Sequence, residues 1–131
     1  MYTHIMVGSN DIARSKAFYD ALFGALGGQP GMEAGERLLY RHNGAVFIVT
    51  RPIDGEPATH ANGGTIGLGA TDPAQVEVAH AAGAANGGTA IEGPVGERNT
   101  GLGPAYLGYL RDPDGNKLCL GCRLPAPAPA A

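Results

Sequence analysis

The chain has no tryptophan, only two cysteines, and 16% charged residues. Nine Lys and Arg stand against twelve Asp and Glu, for a formal net charge of −3, with no basic block. That argues against nucleic acid or an anionic membrane as the main partner. No apolar run approaches a membrane span, and the first residues show no basic, apolar and small-residue series of a secretory leader. The cytoplasm is the expected compartment. The cysteines, Cys119 and Cys122, have the spacing of a redox pair or half a zinc site. On a strand, however, residues three apart point to opposite faces. One cysteine facing a cavity and one facing the core is the preferred reading.

What is present is glycine, 22 residues in 131. The glycines lie among apolar alternations and turn strings, as in a folded domain. The length suits one domain with a real core. Only residues 124–131, rich in Pro and Ala, read as a disordered tail.

In chain order, residues 3–7 read as a strand. Asn10 or Asp11 caps a helix over 12–26, where Ile12, Tyr19, Leu22, Phe23 and Leu26 keep helical spacing. Gly27-Gly28 stops it. Residues 29–36 are a strand or a loop, 37–41 a strand, 42–44 a turn, and 45–50 a buried strand. Residues 52–63 form a connector rich in Pro and Gly. Then the pattern restarts. Residues 65–70 are a strand, Asp72-Pro73 opens a helix to Ala85, and Asn86-Gly87-Gly88 ends it. Residues 89–94 are a strand, 95–103 a polar loop, 105–111 a strand, and the last strand runs to Cys122. Between these last two lies Asp112-Pro113-Asp114-Gly115-Asn116, a tight hairpin turn.

The chain is thus an internal repeat, about 1–51 and 64–123, each half strand, helix, three strands. One such unit has a bare sheet face and cannot stand alone in water. The expected class is α+β: two βαβββ modules in tandem forming a curved mixed sheet, helices outside, with a common cleft.

Thr3-His4-Ile5, Arg14-Ser15-Lys16-Ala17-Phe18-Tyr19 and Asp112-Pro113-Asp114-Gly115-Asn116 occur in an order and spacing that resembles the vicinal oxygen chelate superfamily. Its members include glyoxalase I, extradiol dioxygenases and bleomycin resistance proteins. The resemblance spans residues 4–122 and implies the same paired modules. In metal-binding members, four positions on the first and last strands of each half hold a divalent ion. Carried over, these are His4, Ile48, Thr65 and Cys119; only His4 is a family-type ligand. His60, on the connector, is a stray candidate.

The resemblance implies a protein that binds a small organic molecule between the repeats with no cofactor. The alternatives are a glyoxalase-like lyase or dioxygenase using one Zn, Ni, Mn or Fe ion, and a partner-binding or regulatory module with a vestigial cleft. The expected ligand-facing residues are His4, Met6, Ile48, Thr65, Gly67, Tyr109 and Cys119. His4 and Cys119 are the catalytic candidates, as base and nucleophile. Tyr40, Tyr106, Tyr109 and Arg98 are candidates for holding a ligand; the face of the Tyr106–Tyr109 strand stays open. A homodimer is expected, since family members pair their halves within a chain or between two chains.

Overall fold

The computed structural model describes residues 1–126. Residues 124–126 carry no regular structure, and the rest of the expected tail lies outside the described residues. The first half is β1 (Ile5–Gly8), α1 (Ile12–Ala25), β2 (Met32–Ala34), β3 (Arg37–His42) and β4 (Ala45–Thr50). The second is β5 (Ile66–Gly69), α2 (Pro73–Ala85), β6 (Thr89–Thr100), β7 (Gly103–Arg111) and β8 (Lys117–Arg123). The sheet orders, β1-β4-β3-β2 and β5-β8-β7-β6, are the same order in equivalent strands. In each, the first and last strands run parallel and the other neighbours antiparallel. These are the two expected βαβββ modules. Among the described residues, no helix is long and apolar enough to cross a membrane.

Both helices start on an aspartate. Asp11 accepts from the backbone N–H of Arg14 at 3.0 Å, and Asp72 from that of Gln75 at 2.8 Å. Each thereby satisfies a donor the helix leaves unpaired. Each helix is followed by a left-handed glycine, Gly27 at φ 88° and Gly87 at φ 101°.

The stretch expected as a polar loop, 95–103, is mostly strand. Glu92 and Gly93 take positive φ, and the β6–β7 register shifts between Ile91 and Gly96. Past this bulge β6 pairs again to Thr100, whose hydroxyl accepts from Leu102 N–H and donates to the Gly103 carbonyl. A bulged edge strand with one face to solvent can be polar, and so reads as a loop. Residues 29–36, open in the sequence, contain the short exposed strand β2.

The two sheets share no strand pairing, and no strand of one packs on a strand of the other. The halves join through their helices, which lie against each other. One core results. It takes Phe18, Tyr19 and Leu22 from α1, Leu38, Tyr40, Phe47 and Val49 from the first sheet, Val76 and Ala79 from α2, and Leu110, Leu118 and Leu120 from the second. Strand alternation then turns Met6, Leu39 and Ile48, and in the second sheet Gly67, Tyr109 and Cys119, to the opposite, open faces.

The Asp112–Asn116 turn is the polar part of the joint. Asp112, 4% exposed, accepts from the Tyr19 hydroxyl at 2.6 Å and from both the backbone and side-chain amides of Asn116. Asp114 accepts from Asn10 N–H, from Arg14 at 2.9 Å and from the Ser15 hydroxyl. Asn116 also donates to the Gly8 carbonyl at 3.2 Å. The hairpin of the second half is thereby fastened to β1 and to the start of α1.

Candidate functional site

Of the expected site residues, His4, Met6, Thr65, Gly67 and Cys119 are divided among three hollows, and Ile48 and Tyr109 line none of them. His4 is exposed just before β1, with Thr3 Oγ1 3.0 Å from its Nδ1. It lines a crevice of about 460 Å³ with Thr65 and Gly67, between the edges of β1 and β5. Met6, 41% exposed, lines a second of about 290 Å³, with Thr65 and Lys117. The first-strand positions of the two halves, His4 and Thr65, thus line one crevice. Cys119 and Gly67 line a third, a shallow hollow of about 570 Å³ over the open face of the second sheet, with Ala105, Leu107 and Gly121. Ile48 stands beside Met6 in the β1–β4 register. His60 is elsewhere, its ring against Gly115 of the hairpin turn.

Strand register settles the tyrosines. Tyr109 is opposite Cys119, on the open face. Tyr106 is opposite Cys122, on the helix side, and its hydroxyl donates to Glu77 of α2 at 2.5 Å. Tyr40 is buried under α1, its hydroxyl donating to Asp20 at 2.8 Å. Burial and that carboxylate push its phenol far above the ordinary value. Tyr40 packs under α1, while Tyr106 stays partly exposed beside α2, and the hydroxyl of each is taken up by a helix carboxylate. The cysteines separate as expected: Cys122 packs against the core, and both thiols are free.

Around Tyr109 the structure builds a charged cluster. The Arg98 guanidinium and the Lys117 ammonium each lie 5.1 Å from its ring centroid. At this distance both are attracted by the negative face of the ring. Arg98 donates to the carbonyls of Glu92 at 2.5 Å and Pro94 at 3.1 Å, and Lys117 pairs with the Glu92 carboxylate. The β6 bulge thus supplies the groups that hold both cations over the tyrosine. Two cations against one carboxylate leave the patch one positive charge in excess. Glu92 is the residue that sequence reasoning missed. Its signal was Glu92-Gly93-Pro94 inside a strand pattern, a bulge string.

Burial pushes the Cys119 thiol above its ordinary value; the neighbouring Tyr109 hydroxyl and Arg98 offset this only in part. A protonated thiol is a weak nucleophile. His4, the base proposed for it, lines a different hollow.

The four family ligand positions do not supply the donor set of a divalent ion. His4 offers an imidazole, Cys119 a thiol and Thr65 a neutral hydroxyl, while Ile48 offers nothing. Extending the strand registers by one step puts Val46 beside His4 and the Lys117 cation beside Thr65. An apolar side chain and a cation at these places do not fit the ion.

Comparison with known proteins gives a consistent picture. The family model described as a glyoxalase-like domain matches residues 4–121. No curated protein matches the sequence. Among solved structures, a glyoxalase/bleomycin resistance protein from Albidiferax ferrireducens is 53% identical, with TM-score 0.92, over 94% of this chain and 99% of that one. A glyoxalase-related enzyme from Fulvimarina pelagi is 20% identical, with TM-score 0.70, over 92% of this chain and 87% of its own. A glyoxalase/bleomycin resistance protein/dioxygenase family enzyme from Burkholderia phytofirmans is 16% identical, with TM-score 0.71, over 93% and 98%. The last two share the fold. With its two modules, its shared strand order and a family match across nearly all the described residues, the protein belongs to the glyoxalase-like family of the vicinal oxygen chelate superfamily.

Proposed function

We propose that the protein binds a small organic molecule on its open sheet faces, without a complete metal site, as a homodimer in the cytoplasm. The observation that carries this reading is the cluster of Arg98 and Lys117 over Tyr109. An aromatic face with one excess positive charge suits a planar or anionic ligand group. Dimerisation fits the same geometry. The helices bury one face of each sheet, and a second copy laid over an open face would deepen its shallow hollow into a cleft. The retained His4, sharing a crevice with Thr65, favours one second reading, a metal-dependent lyase or dioxygenase with an unusual ligand set.

Binding is tested by screening small carboxylates and aromatic compounds by thermal shift, then titrating hits by calorimetry. Tyr109→Ala and Arg98→Ala should each weaken a hit about tenfold or more, as truncating a central contact does. Unfolding temperatures of the free variants should stay close to that of the parent. Hits unaffected by both variants, or turnover that His4→Ala abolishes, would refute the binding reading.

A further inference from the structure

A further cavity lies between the first sheet and β5, and Tyr109 is not in its lining. It measures about 260 Å³ and sits where the C-terminal end of α1 meets the first sheet and β5. Phe23, Leu26, Ile5, Phe47, Ile66 and Leu68 give it apolar walls. Three side chains bring polar atoms to the lining. The Tyr40 hydroxyl is already bonded to Asp20, and Asn43 is exposed on the β3–β4 turn. The third is His42, whose Nε2 is buried with no hydrogen-bond partner. Among the described residues it is the one buried side-chain nitrogen or oxygen so left. Its Nδ1 lies against Gly28, and the ring meets Phe23 edge-on at 6.2 Å.

Buried polar atoms are nearly always paired, and leaving one unpaired is unfavourable. The lining supplies no partner for this one. A cavity of roughly 150 Å³ with apolar walls takes up benzene. At about 260 Å³, this one has room for two fused rings. We propose that it is a second binding site, for a compact aromatic alcohol whose hydroxyl pairs with His42 Nε2 and whose rings fill the apolar walls. It shares the β5 residues Gly67, Leu68 and Gly69 with the hollow that Cys119 lines, but neither Tyr109 nor Cys119 reaches its lining, so it is tested separately from the function proposed above.

The test uses 2-naphthol, with naphthalene as the partner lacking the hydroxyl. Both are titrated into the full-length protein, followed by calorimetry and by the NMR signals of the His42 ring. One 2-naphthol per chain should bind, about tenfold more tightly than naphthalene, the difference expected of one hydrogen bond to a buried group. His42→Phe, which keeps ring volume, should erase that preference, and His42→Gln should restore part of it. Ala45→Leu, filling the cavity from its lining, should weaken both probes. Tyr109→Ala should change neither. No binding at millimolar probe would overturn the proposal. So would equal preference in the parent and His42→Phe, loss of binding in Tyr109→Ala, or an ordered water on Nε2 that 2-naphthol fails to displace.

Discussion

Asp112→Ala should destabilise the fold by about 3–5 kcal/mol, the sum expected from lost charge-assisted hydrogen bonds and a stranded buried hydroxyl. The carboxylate accepts from Tyr19, from Asp114 N–H and from two groups of Asn116. Tyr19 is fully buried, so its hydroxyl would find no water in exchange. Asn116 would also lose the anchor that aims its side chain at the Gly8 carbonyl. Because a domain of this size has roughly 5–15 kcal/mol in all, about a fifth or more of the stability is at stake. The unfolding temperature should fall by roughly 10–20 °C. Tyr19→Phe removes only one of these bonds and should cost about 1.5–3 kcal/mol, as for a bond to a charged group. A shift of only a degree or two for Asp112→Ala would show that the hairpin does not fasten the halves together.

Phe18→Ala should cost a similar amount, about 3–5 kcal/mol, typical of a buried phenylalanine truncated in a core that collapses incompletely. The ring is fully buried and meets Tyr19 edge-to-face, centroids 4.8 Å apart. It reaches across the helix contact into space left by two glycines of the second half. A Cβ added at Gly83 would lie 3.2 Å from the ring, and one at Gly88 would lie 2.6 Å from it. At Gly88 that Cβ would also meet two backbone carbonyls, Gly83 at 2.8 Å and Arg111 at 3.1 Å, so the gap left by Phe18→Ala cannot simply be refilled from that side. Denaturant unfolding should show a lower midpoint with an unchanged slope, the mark of lost stability without a change in the unfolded state.

Much of this architecture was legible in the residues. The α2 limits follow from Asp72-Pro73 at one end and Asn86-Gly87-Gly88 at the other, and β4 from a run of apolar and β-branched residues. These signals are local, acting over one or two turns of chain. What acts between distant residues was not legible. Asp112-Pro113-Asp114-Gly115-Asn116 reads as a turn, which it is, yet its bond to Tyr19 spans 93 positions. The second half of β6 was hidden because an edge strand needs no apolar alternation and the bulge breaks its register. The same bulge brings Glu92 to Lys117, so missing it meant missing the charged half of the candidate site. Tyr40 and Tyr106 misled because a tyrosine has an apolar body and a polar tip; beside a helix, Asp20 and Glu77 satisfy the tip just as a ligand would. Alternation fixed that Tyr106 and Tyr109 face opposite ways, and only the pairing with Cys119 and Cys122 fixed which faces out.

The central claim is that this glyoxalase-like chain works as a binding protein without a complete metal centre. Elemental analysis tests it most directly. The protein would be prepared without a metal-affinity column and measured before and after incubation with Zn, Ni, Mn and Fe(II), then desalting. None of the four ions should be retained near one per chain, because Ile48 offers no donor and Lys117 lies beside Thr65. An ion held at close to one per chain, and lost in His4→Ala, would contradict it.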